Sequence, residues 1–387
     1  MRSGLIYVTN FLLTAALGVV FIFLEDVQVD LGLSDLDIGL IAGTGFGAAL
    51  FAHLLLSPLA DRGITTPLSV AALVAGVLGP IGFALGTSVG VLAVSRGLTG
   101  IGLGLFGLLA RKALLGLDAT GGGAKLGILL STAVAGFISG PLIGAAFEPL
   151  GFAAPFIAVS IGIAIAGVPA TIAIARTEVA ATVVDHSELG RLLRRPRIQA
   201  AMLCQAIVWM YIGVFDATLD RFLTDLGAST SMVAVVIICV GAPMLILPRV
   251  AGSLAEANGA ANVMLPTLLI LLPVMAGYGW AGAIVTATIA GVFHGIGESF
   301  VSVSAQVLVL EVTGAERAAV GSALLETAGL SSAALGAGIG PIVYGARGQD
   351  VFLWTAVIGL VLGLVALQRI VHARRSERWA IVPQGTR

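Results

Sequence analysis

Apolar segments long enough to cross a lipid bilayer follow one another along almost the whole chain. An α-helix needs about 20 apolar residues to span the hydrocarbon core, and only helices or closed barrels satisfy their backbone hydrogen bonds there. We place twelve such spans at residues 4–24, 36–58, 67–87, 89–112, 125–147, 152–174, 198–220, 229–250, 262–281, 283–309, 318–345 and 350–370. The sequence therefore predicts an all-α membrane protein with twelve transmembrane helices.

The composition agrees with this interpretation and argues against several functional classes. Hydrophobic residues make up 58% of the 387 residues and charged residues 11%, whereas soluble domains carry about 25% charged residues. The formal net charge is −1, and no basic stripe or DNA-binding motif is present, so we expect no nucleic-acid partner. Cys204 and Cys239 lie in separate apolar segments and predict neither a disulfide framework nor a metal site.

The sequence also lacks the motifs of an enzyme. It contains no Walker loop, no Ser-His-Asp set and no cluster of metal-ligating residues. We therefore expect a protein that is not an enzyme and that needs no cofactor and no metal. Its energy source would be an ion gradient or the gradient of its own substrate.

The distribution of basic residues predicts the orientation in the membrane. If the N-terminus is cytoplasmic, all of the 20 Lys and Arg residues except Arg96, Arg221 and Arg347 fall on the cytoplasmic side, as the positive-inside rule requires. The first outer loop is acidic and contains Glu25, Asp26, Asp30, Asp35 and Asp37. We predict a multi-pass protein of the inner or plasma membrane with both termini in the cytoplasm.

A polar interval divides the spans into two groups of six. We interpret residues 1–175 as an N-terminal six-helix bundle, 176–197 as a cytoplasmic linker, 198–370 as a C-terminal six-helix bundle and 371–387 as a cytoplasmic tail. The halves carry similar strings in corresponding places, SPLADRG before span three and GSLAEANG before span nine. Parallel repeats of this kind predict two bundles related by an axis along the membrane normal, with a substrate cavity between them.

Span five contains a motif of small residues interrupted by a proline. Gly136, Gly140 and Gly144 recur every four residues, and Pro141 follows the second of them. Small residues at this spacing let two helix backbones approach closely, and a proline removes a backbone donor and bends the helix. We interpret this face as a surface on which a helix packs tightly and rocks.

Three strings resemble the signatures of the major facilitator superfamily. The string from Ser57 to Gly63 is similar to G-x-L-x-D-R-x-G-R-R, although Ser57 replaces the first glycine and Thr65-Thr66 stands near the usual basic pair. Span four carries RGLTGIG from Arg96, similar to R-x-x-x-G-x-G, and the GPLIG of span five resembles the antiporter signature. The resemblance implies the major facilitator fold, with two six-helix bundles and alternating access, and is greatest to proton-coupled drug antiporters.

The resemblance also implies roles for individual residues. Asp61 would latch the halves on the cytoplasmic side by facing the N-terminus of span eleven, where a carboxylate is stabilised. Arg62 and Arg111 would complete a charge network, and Glu326 would belong to the inner gate. Arg96 would take part in proton transfer. The alternatives are that Asp61 and Arg62 only cap a turn and that Arg96 snorkels to the outer surface.

Ionisable residues inside the other spans are further candidates, because charged groups at this depth are costly and usually functional. His294 and Glu298 lie four residues apart in span ten and so share one helix face. We interpret Glu298, assisted by His294 and Arg96, as the proton-coupling site. The alternative is a structural hydrogen-bonded pair.

Span seven carries two more acids near its outer end. Asp216 and Asp220 lie four residues apart, and Arg221 follows at once. Asp216 is our next candidate for proton coupling and Asp220 a candidate for gating, but a salt bridge of an outer gate explains both equally well. Five polar or aromatic residues are candidates for the substrate cavity, namely Tyr7, Asn10, Gln205, Trp209 and Tyr211.

Together these observations predict a secondary active transporter. We expect it to export small amphipathic or apolar compounds in exchange for protons, by alternating access and as a monomer in the lipid bilayer. The alternative is a facilitator or importer of a small polar or anionic solute with the same fold.

Overall fold

The structure is a computed structural model that describes residues 2–56, 59–60, 62–117, 122–177, 186–314 and 318–381. Within these ranges the chain is helical and contains no β-strand. The α-helices are α1 (Arg2–Val19), α2 (Leu24–Leu31), α3 (Asp35–Phe51), α4 (Thr65–Leu85), α5 (Val89–Leu117), α6 (Gly122–Phe147), α7 (Ala153–Ala175), α8 (His186–Leu193), α9 (Pro196–Asp225), α10 (Thr230–Ile246), α11 (Pro248–Asn258), α12 (Ala260–Gly277), α13 (Ile284–Thr313), α14 (Ala318–Arg347) and α15 (Asp350–Ile381).

These helices account for the predicted spans. In the described part of the chain, ten helices are long and apolar enough to cross a membrane, and α10 with α11, bent by 44° at their junction, forms an eleventh. The remaining predicted span corresponds to α14, a 30-residue helix that is rich in glycine and carries Glu326. The all-α membrane fold is confirmed.

The first predicted outer loop differs from expectation. We placed span one at 4–24 and a loop after it, but α1 ends at Val19, a 3₁₀ turn follows at Val20–Ile22, and α2 begins at Leu24. The helical path breaks at Phe23, whose φ of −122° and ψ of 1° are not helical. The acidic residues of this segment therefore lie on a short helix and at the start of α3.

The helices pack in two equivalent sets. In the N-terminal half, α1 packs on α6 and α7, α4 packs on α5 and α7, and α3 packs on α5. In the C-terminal half, α9 packs on α14 and α15, α12 packs on α13 and α15, and α10 packs on α13. The two sets match span by span, as expected of the parallel repeats. The segment 176–197 contains α8, and its residues 178–185 lie outside the described part.

Two helix pairs hold the halves together. α3 packs against α14, and α6 packs against α10. The α3–α14 approach requires glycine at position 39, because a Cβ on Gly39 would overlap the backbone carbonyl group of Gly338. We call the side of the molecule that carries α2 the α2 face, and the opposite side, where α1 begins, the terminal face.

The glycine–proline motif packs inside the N-terminal half. A Cβ on Gly140 would lie 2.6 Å from the carbonyl oxygen of Ala15 in α1, and Gly136 faces α1 one turn earlier. Gly144, one turn later, faces Ile22 and Phe23, which follow α1. Pro141 lies inside α6. The motif therefore brings α6 against α1 by close backbone contact, while the rocking that we inferred from it stays a prediction.

Candidate functional site

A buried arginine connects three helices in the interior. The side chain of Arg96 in α5 has no exposed surface. Its Nη2 donates hydrogen bonds to both carboxylate oxygens of Asp216 in α9, at 2.7 and 2.6 Å, and its Nη1 donates to the carbonyl oxygen of Leu17 in α1 at 2.6 Å. Because α1 and α5 belong to one half and α9 to the other, this ion pair joins the two halves.

The surroundings of Arg96 leave little freedom to its side chain. Gly45 in α3 makes room for it, since a Cβ there would lie 3.1 Å from both Cγ and Nε of the arginine. The Nε has no hydrogen-bond partner among the described residues. The carboxylate of Asp216 is equally inaccessible. Removing one charge of such a pair is costly because the other stays buried without compensation.

A second polar cluster lies inside the C-terminal half. His294 and Glu298 of α13 are both buried, with Nε2 of the histidine 3.8 Å from Oε2 of the glutamate, which is too long for a hydrogen bond. The hydroxyl of Tyr278 lies 3.3 Å from Nδ1 of His294. The rings of Phe215 and Tyr211 pack on the imidazole, with centroids 5.1 and 5.8 Å away.

The two clusters lie on different sides of α9. Phe215 packs on His294, whereas the next residue, Asp216, binds Arg96. Successive residues of an α-helix point about 100° apart, so neighbours in sequence serve different halves of the molecule. The sequence analysis grouped Arg96 with Glu298 and His294, but the carboxylate that the structure brings to Arg96 is Asp216.

On the α2 face, polar contacts also cross between the halves. Asp220, one turn beyond Asp216, accepts a hydrogen bond through Oδ2 from the backbone nitrogen of Glu25, at 3.2 Å. Arg221 donates through Nη1 to Oδ1 of Asp35 at 2.7 Å, and its Nε lies 3.9 Å from Oε2 of Glu25. Arg221 therefore forms the salt bridge of this face with Asp35 and Glu25, and not with Asp216 or Asp220, the two acids that it follows in the sequence.

Further contacts surround this network. The hydroxyl of Thr230 in α10 donates to Oε1 of Glu148, just after α6, at 3.0 Å. Tyr344 in α14 donates to Oδ2 of Asp225 at 2.6 Å. Burial raises the pKa of Glu25, Arg221 opposes this effect, and the nearby carboxylates reinforce it. The α2 face is thus closed by several polar contacts.

The terminal face has a different contact. Nη1 of Arg111 in α5 lies 2.5 Å from Oε2 of Glu326 in α14, and both side chains are partly exposed. This ion pair links the halves at the position predicted for an inner gate. Arg62 lies exposed in the turn before α4. Asp61 lies outside the described residues, so its latch stays a prediction.

The five candidates for the substrate cavity differ in whether their polar groups are already bound. The hydroxyl of Tyr7 lies 3.4 Å from the carbonyl oxygen of Lys125, and Nδ2 of Asn10 donates to the carbonyl oxygen of Leu129 at 2.9 Å. Tyr211 donates to the carbonyl oxygen of Phe352 at 3.0 Å. These three polar groups are bound within their own half.

The other two candidates differ from these. Oε1 of Gln205 is buried and has no hydrogen-bond partner among the described residues. Trp209 is half-buried and packs on α14, where Gly329 provides the space for its indole ring. Both lie on α9, nearer the terminal face than Asp216.

Several functional contacts escaped the sequence analysis. Leu17 takes part through its backbone oxygen, Gly45 through its missing side chain, and Tyr278 lies in a different span from the histidine that it contacts. Arg221 itself was visible, because it is one of the three basic residues outside the predicted cytoplasmic side and follows two acids, but its partners Asp35 and Glu25 were not predicted.

No protein-family model matches the sequence, and no curated protein sequence is significantly similar to it. Solved structures do resemble it. A bacterial homologue of the human lysosomal transporter Spinster, inward-facing and unoccupied, is 16% identical with a TM-score of 0.78 over 95% of both chains. A D-xylose–proton symporter is 15% identical with a TM-score of 0.75, over 94% of this chain and 96% of that one.

The nucleoside transporter NupG is 15% identical with a TM-score of 0.72, over 95% of this chain and 100% of that one. At such low identity the likeness concerns the fold. The major facilitator fold that the sequence analysis predicted is confirmed.

Proposed function

We propose that this protein is a secondary active transporter that exports small amphipathic or apolar compounds in exchange for protons by alternating access. The observation that carries the proposal is the buried ion pair between Arg96 and Asp216, which joins the two halves. The fold, shared with a Spinster homologue and with a xylose–proton symporter, supports transport in general.

The position of this pair suits it to proton coupling. In alternating access the two halves separate at one face at a time. An ion pair between them stabilises only the arrangement in which Arg96 and Asp216 meet. Protonation of Asp216 removes the attraction and favours separation, and return of Arg96 favours release of the proton. The proton thereby interacts differently with the two arrangements, which is what a shift of their populations requires.

Glu298 with His294 is the alternative coupling site. Both residues belong to α13, and their ring neighbours are contributed by the same half. A proton bound there acts directly on the C-terminal half. Among the described residues, the contacts of His294 and Glu298 lie within that half, so none of them breaks when the halves part. For this reason we place Asp216 before Glu298 as the coupling carboxylate, with Arg96 as its partner.

Export of amphipathic or apolar compounds is supported by two observations. The GPxxG motif of α6, which resembles the antiporter signature, packs on α1 through Gly140. Among the cavity candidates, Tyr7, Asn10 and Tyr211 use their polar groups inside their own half. Asn10 and Tyr211 are moreover buried. These three residues therefore offer no free hydrogen-bonding group to a substrate, whereas a site for sugars or nucleosides needs such groups.

We further propose that the α2 face is extracellular and that both termini are cytoplasmic. In a variant without Cys204 and Cys239, a single cysteine at Thr87, in the loop between α4 and α5, should react with a membrane-impermeant reagent in intact cells. A cysteine at Gly190 in α8 should react only after permeabilisation. The reverse pattern would invert the orientation.

The transport proposal is tested in two steps. A growth screen against toxic amphipathic compounds, with and without expression, identifies a transported probe. Proteoliposomes then measure movement of that probe under an imposed pH gradient. We expect Asp216→Asn to abolish uphill transport but to retain downhill exchange, Glu298→Gln to keep most of the uphill transport, and Asp350→Asn, an exposed control on α15, to behave like wild type.

Other results are equally informative. Loss of uphill transport in Glu298→Gln but not in Asp216→Asn would move the coupling site to α13. Probe movement that equilibrates without any dependence on the pH gradient would favour the facilitator. Absence of any movement in the wild-type protein would argue against transport of amphipathic compounds.

A further inference from the structure

Asp220 lies where a helix of the opposite half begins. Phe23, which precedes α2, provides no side-chain cap, and the first N–H groups of a helix have no partner within the helix. One of them, the backbone N–H of Glu25, donates to Oδ2 of Asp220 at 3.2 Å. The carboxyl group of α9 thus occupies the position of the missing cap.

The charges around Asp220 do not balance its own charge. Its residue surface is 7% exposed. Arg221 is the adjacent base, but it is bound to Asp35 and lies near Glu25. Arg96 is bound to Asp216. The titratable and charged side chains of this region are Glu25, Asp26 and Asp30 on α2, Asp35 on α3, Glu148 after α6, Asp216, Arg221 and Asp225 on α9, and Tyr344 and the exposed Arg347 on α14.

An ionised Asp220 in this closed arrangement is a buried charge without a basic partner among the described residues, next to two other carboxylates. The N-terminus of α2 offsets only part of that cost, because helix-end interactions are small compared with the burial of an ion. A neutral Asp220 avoids the cost and still accepts the hydrogen bond from Glu25. Burial also raises the pKa of Glu25 and of Asp26 on α2.

We propose that Asp220 is a proton-binding residue of the closed α2 face, so that closure of α2 against α9 takes up a proton and loss of that proton favours opening. The inference rests on the proposed function only in assigning this closure to a transport cycle. Asp220 and Asp216 then respond to protons in opposite ways. The closed face holds Asp220 neutral and Asp216 ionised, because only Asp216 has an arginine.

The test measures opening of the α2 face and does not depend on transport. Spin labels are attached to cysteines at Thr87 and Gly282, which are exposed in loops of the two halves on this face, after Cys204 and Cys239 have been replaced by alanine. Electron-resonance distance distributions are recorded in lipid nanodiscs, without substrate, from pH 6 to 9. Relative to a variant that is neutral at position 220, the closed-to-open ratio should fall as the pH rises, by up to about tenfold per pH unit for one proton.

Substitutions at position 220 test whether Asp220 is the group that binds the proton. Asp220→Asn is permanently neutral and should stay closed at pH 9, so its closed fraction should not fall as the pH rises. Asp220→Glu keeps an ionisable group and should retain the dependence, which also shows that substitution here permits folding. Asp350→Asn should match wild type. Asp216 is present in wild type and in Asp220→Asn, so its own response cancels when the two are compared. Distance distributions that are the same for wild type and Asp220→Asn at every pH would overturn the proposal.

The same data separate the two proposals. If Asp220→Asn changes the pH dependence of the distances while Asp216→Asn leaves uphill transport intact, the proton site on the α2 face is supported and the coupling role of Asp216 is wrong. If Asp216→Asn abolishes uphill transport while Asp220→Asn keeps the wild-type pH response, the reverse holds.

Discussion

Two polar clusters meet at α9 and differ in what they join. Asp216 binds Arg96 of the other half through two short hydrogen bonds. One residue earlier, Phe215 packs on the ring of His294. The polar contact of His294 with the hydroxyl of Tyr278 stays within the C-terminal half. The first cluster depends on how the halves are arranged, whereas the second depends on the packing of one bundle. Burial alone therefore does not identify a coupling site.

The clusters also differ in the force that holds them. Arg96 and Asp216 compensate each other's charge, and each is costly without the other. His294 is surrounded by aromatic rings at centroid distances of 5.1 to 6.0 Å, and its Nε2 has no hydrogen-bond partner among the described residues. Charge compensation should govern the first cluster and packing the second. Substitutions that separate charge from volume can test this difference.

The largest effect is expected from removing one charge of the pair. Arg96→Leu leaves Asp216 buried without a cation and should lower the free energy of unfolding by about 3–5 kcal/mol, seen as a lower thermal midpoint in detergent. The double variant Arg96→Leu/Asp216→Leu should recover most of the loss. Arg369→Leu, at an exposed position of α15, serves as control. A double variant as unstable as the single one would show that charge compensation is not the cause.

A smaller effect is expected in the second cluster. His294→Ala removes a ring that packs on Phe215, Tyr211 and Tyr278 and should cost about 2–4 kcal/mol, as for other large-to-small changes in a core. His294→Phe, which keeps a ring, should lose less. Leu364→Ala, at an exposed position of α15, should change little. If His294→Phe were as damaging as His294→Ala, polarity rather than packing would dominate this cluster too.

Gly45 tests the fit of Arg96 without changing any charge. Alanine there would bring Cβ to 3.1 Å from Cγ and Nε of the arginine, whereas a Cβ on Gly47 has nothing within 4 Å. We expect Gly45→Ala to be less stable than Gly47→Ala by about 1–2 kcal/mol, since overpacking shifts a constrained side chain. Equal thermal midpoints for the two variants would mean that Arg96 can move aside freely.

The smallest effect is expected from one hydroxyl group. Tyr278→Phe keeps the ring and removes the 3.3 Å contact with Nδ1 of His294, so the loss should be about 1 kcal/mol, the usual net contribution of a hydrogen bond. Uphill transport should persist, because this contact lies within one half. Loss of coupling in Tyr278→Phe would move the functional emphasis to the second cluster.

Much of the fold followed from the sequence, since lipid permits few backbone structures. The spans, their repeat and the fold were predicted from apolar length and from three motifs. The element that the sequence analysis missed, α2, is short and amphipathic. α2 lies in a segment with five acids, Glu25, Asp26, Asp30, Asp35 and Asp37, which we interpreted as a loop. Its first turn is bound by Asp220 of α9, a residue that is remote in sequence.

The site was predictable in part. That Arg96 needs a partner follows from the cost of a charge in the membrane, and all of the acids that could serve are visible in the sequence. Which one serves is not visible, because Asp216 and Glu298 are equally polar, equally deep in apolar helices and 120 and 202 positions away from Arg96. The choice depends on which side of α9 faces α5. A helix that is apolar on all sides has no hydrophobic stripe in its sequence from which this orientation could be predicted.

By itself, then, the sequence determined the all-helical membrane fold, the two repeated halves and the set of ionisable groups that lie inside the membrane. It did so because the bilayer requires each span to have a minimum length, an apolar surface and backbone hydrogen bonds made within the span, and these requirements act locally along the sequence. Only the tertiary structure decided that Arg96 meets Asp216 across the halves, that Arg221 binds Asp35, and that Asp220 faces the start of α2. These pairings depend on how helices distant in sequence turn toward one another, and close packing of glycine-lined helices, rather than the composition of any one span, fixes that rotation.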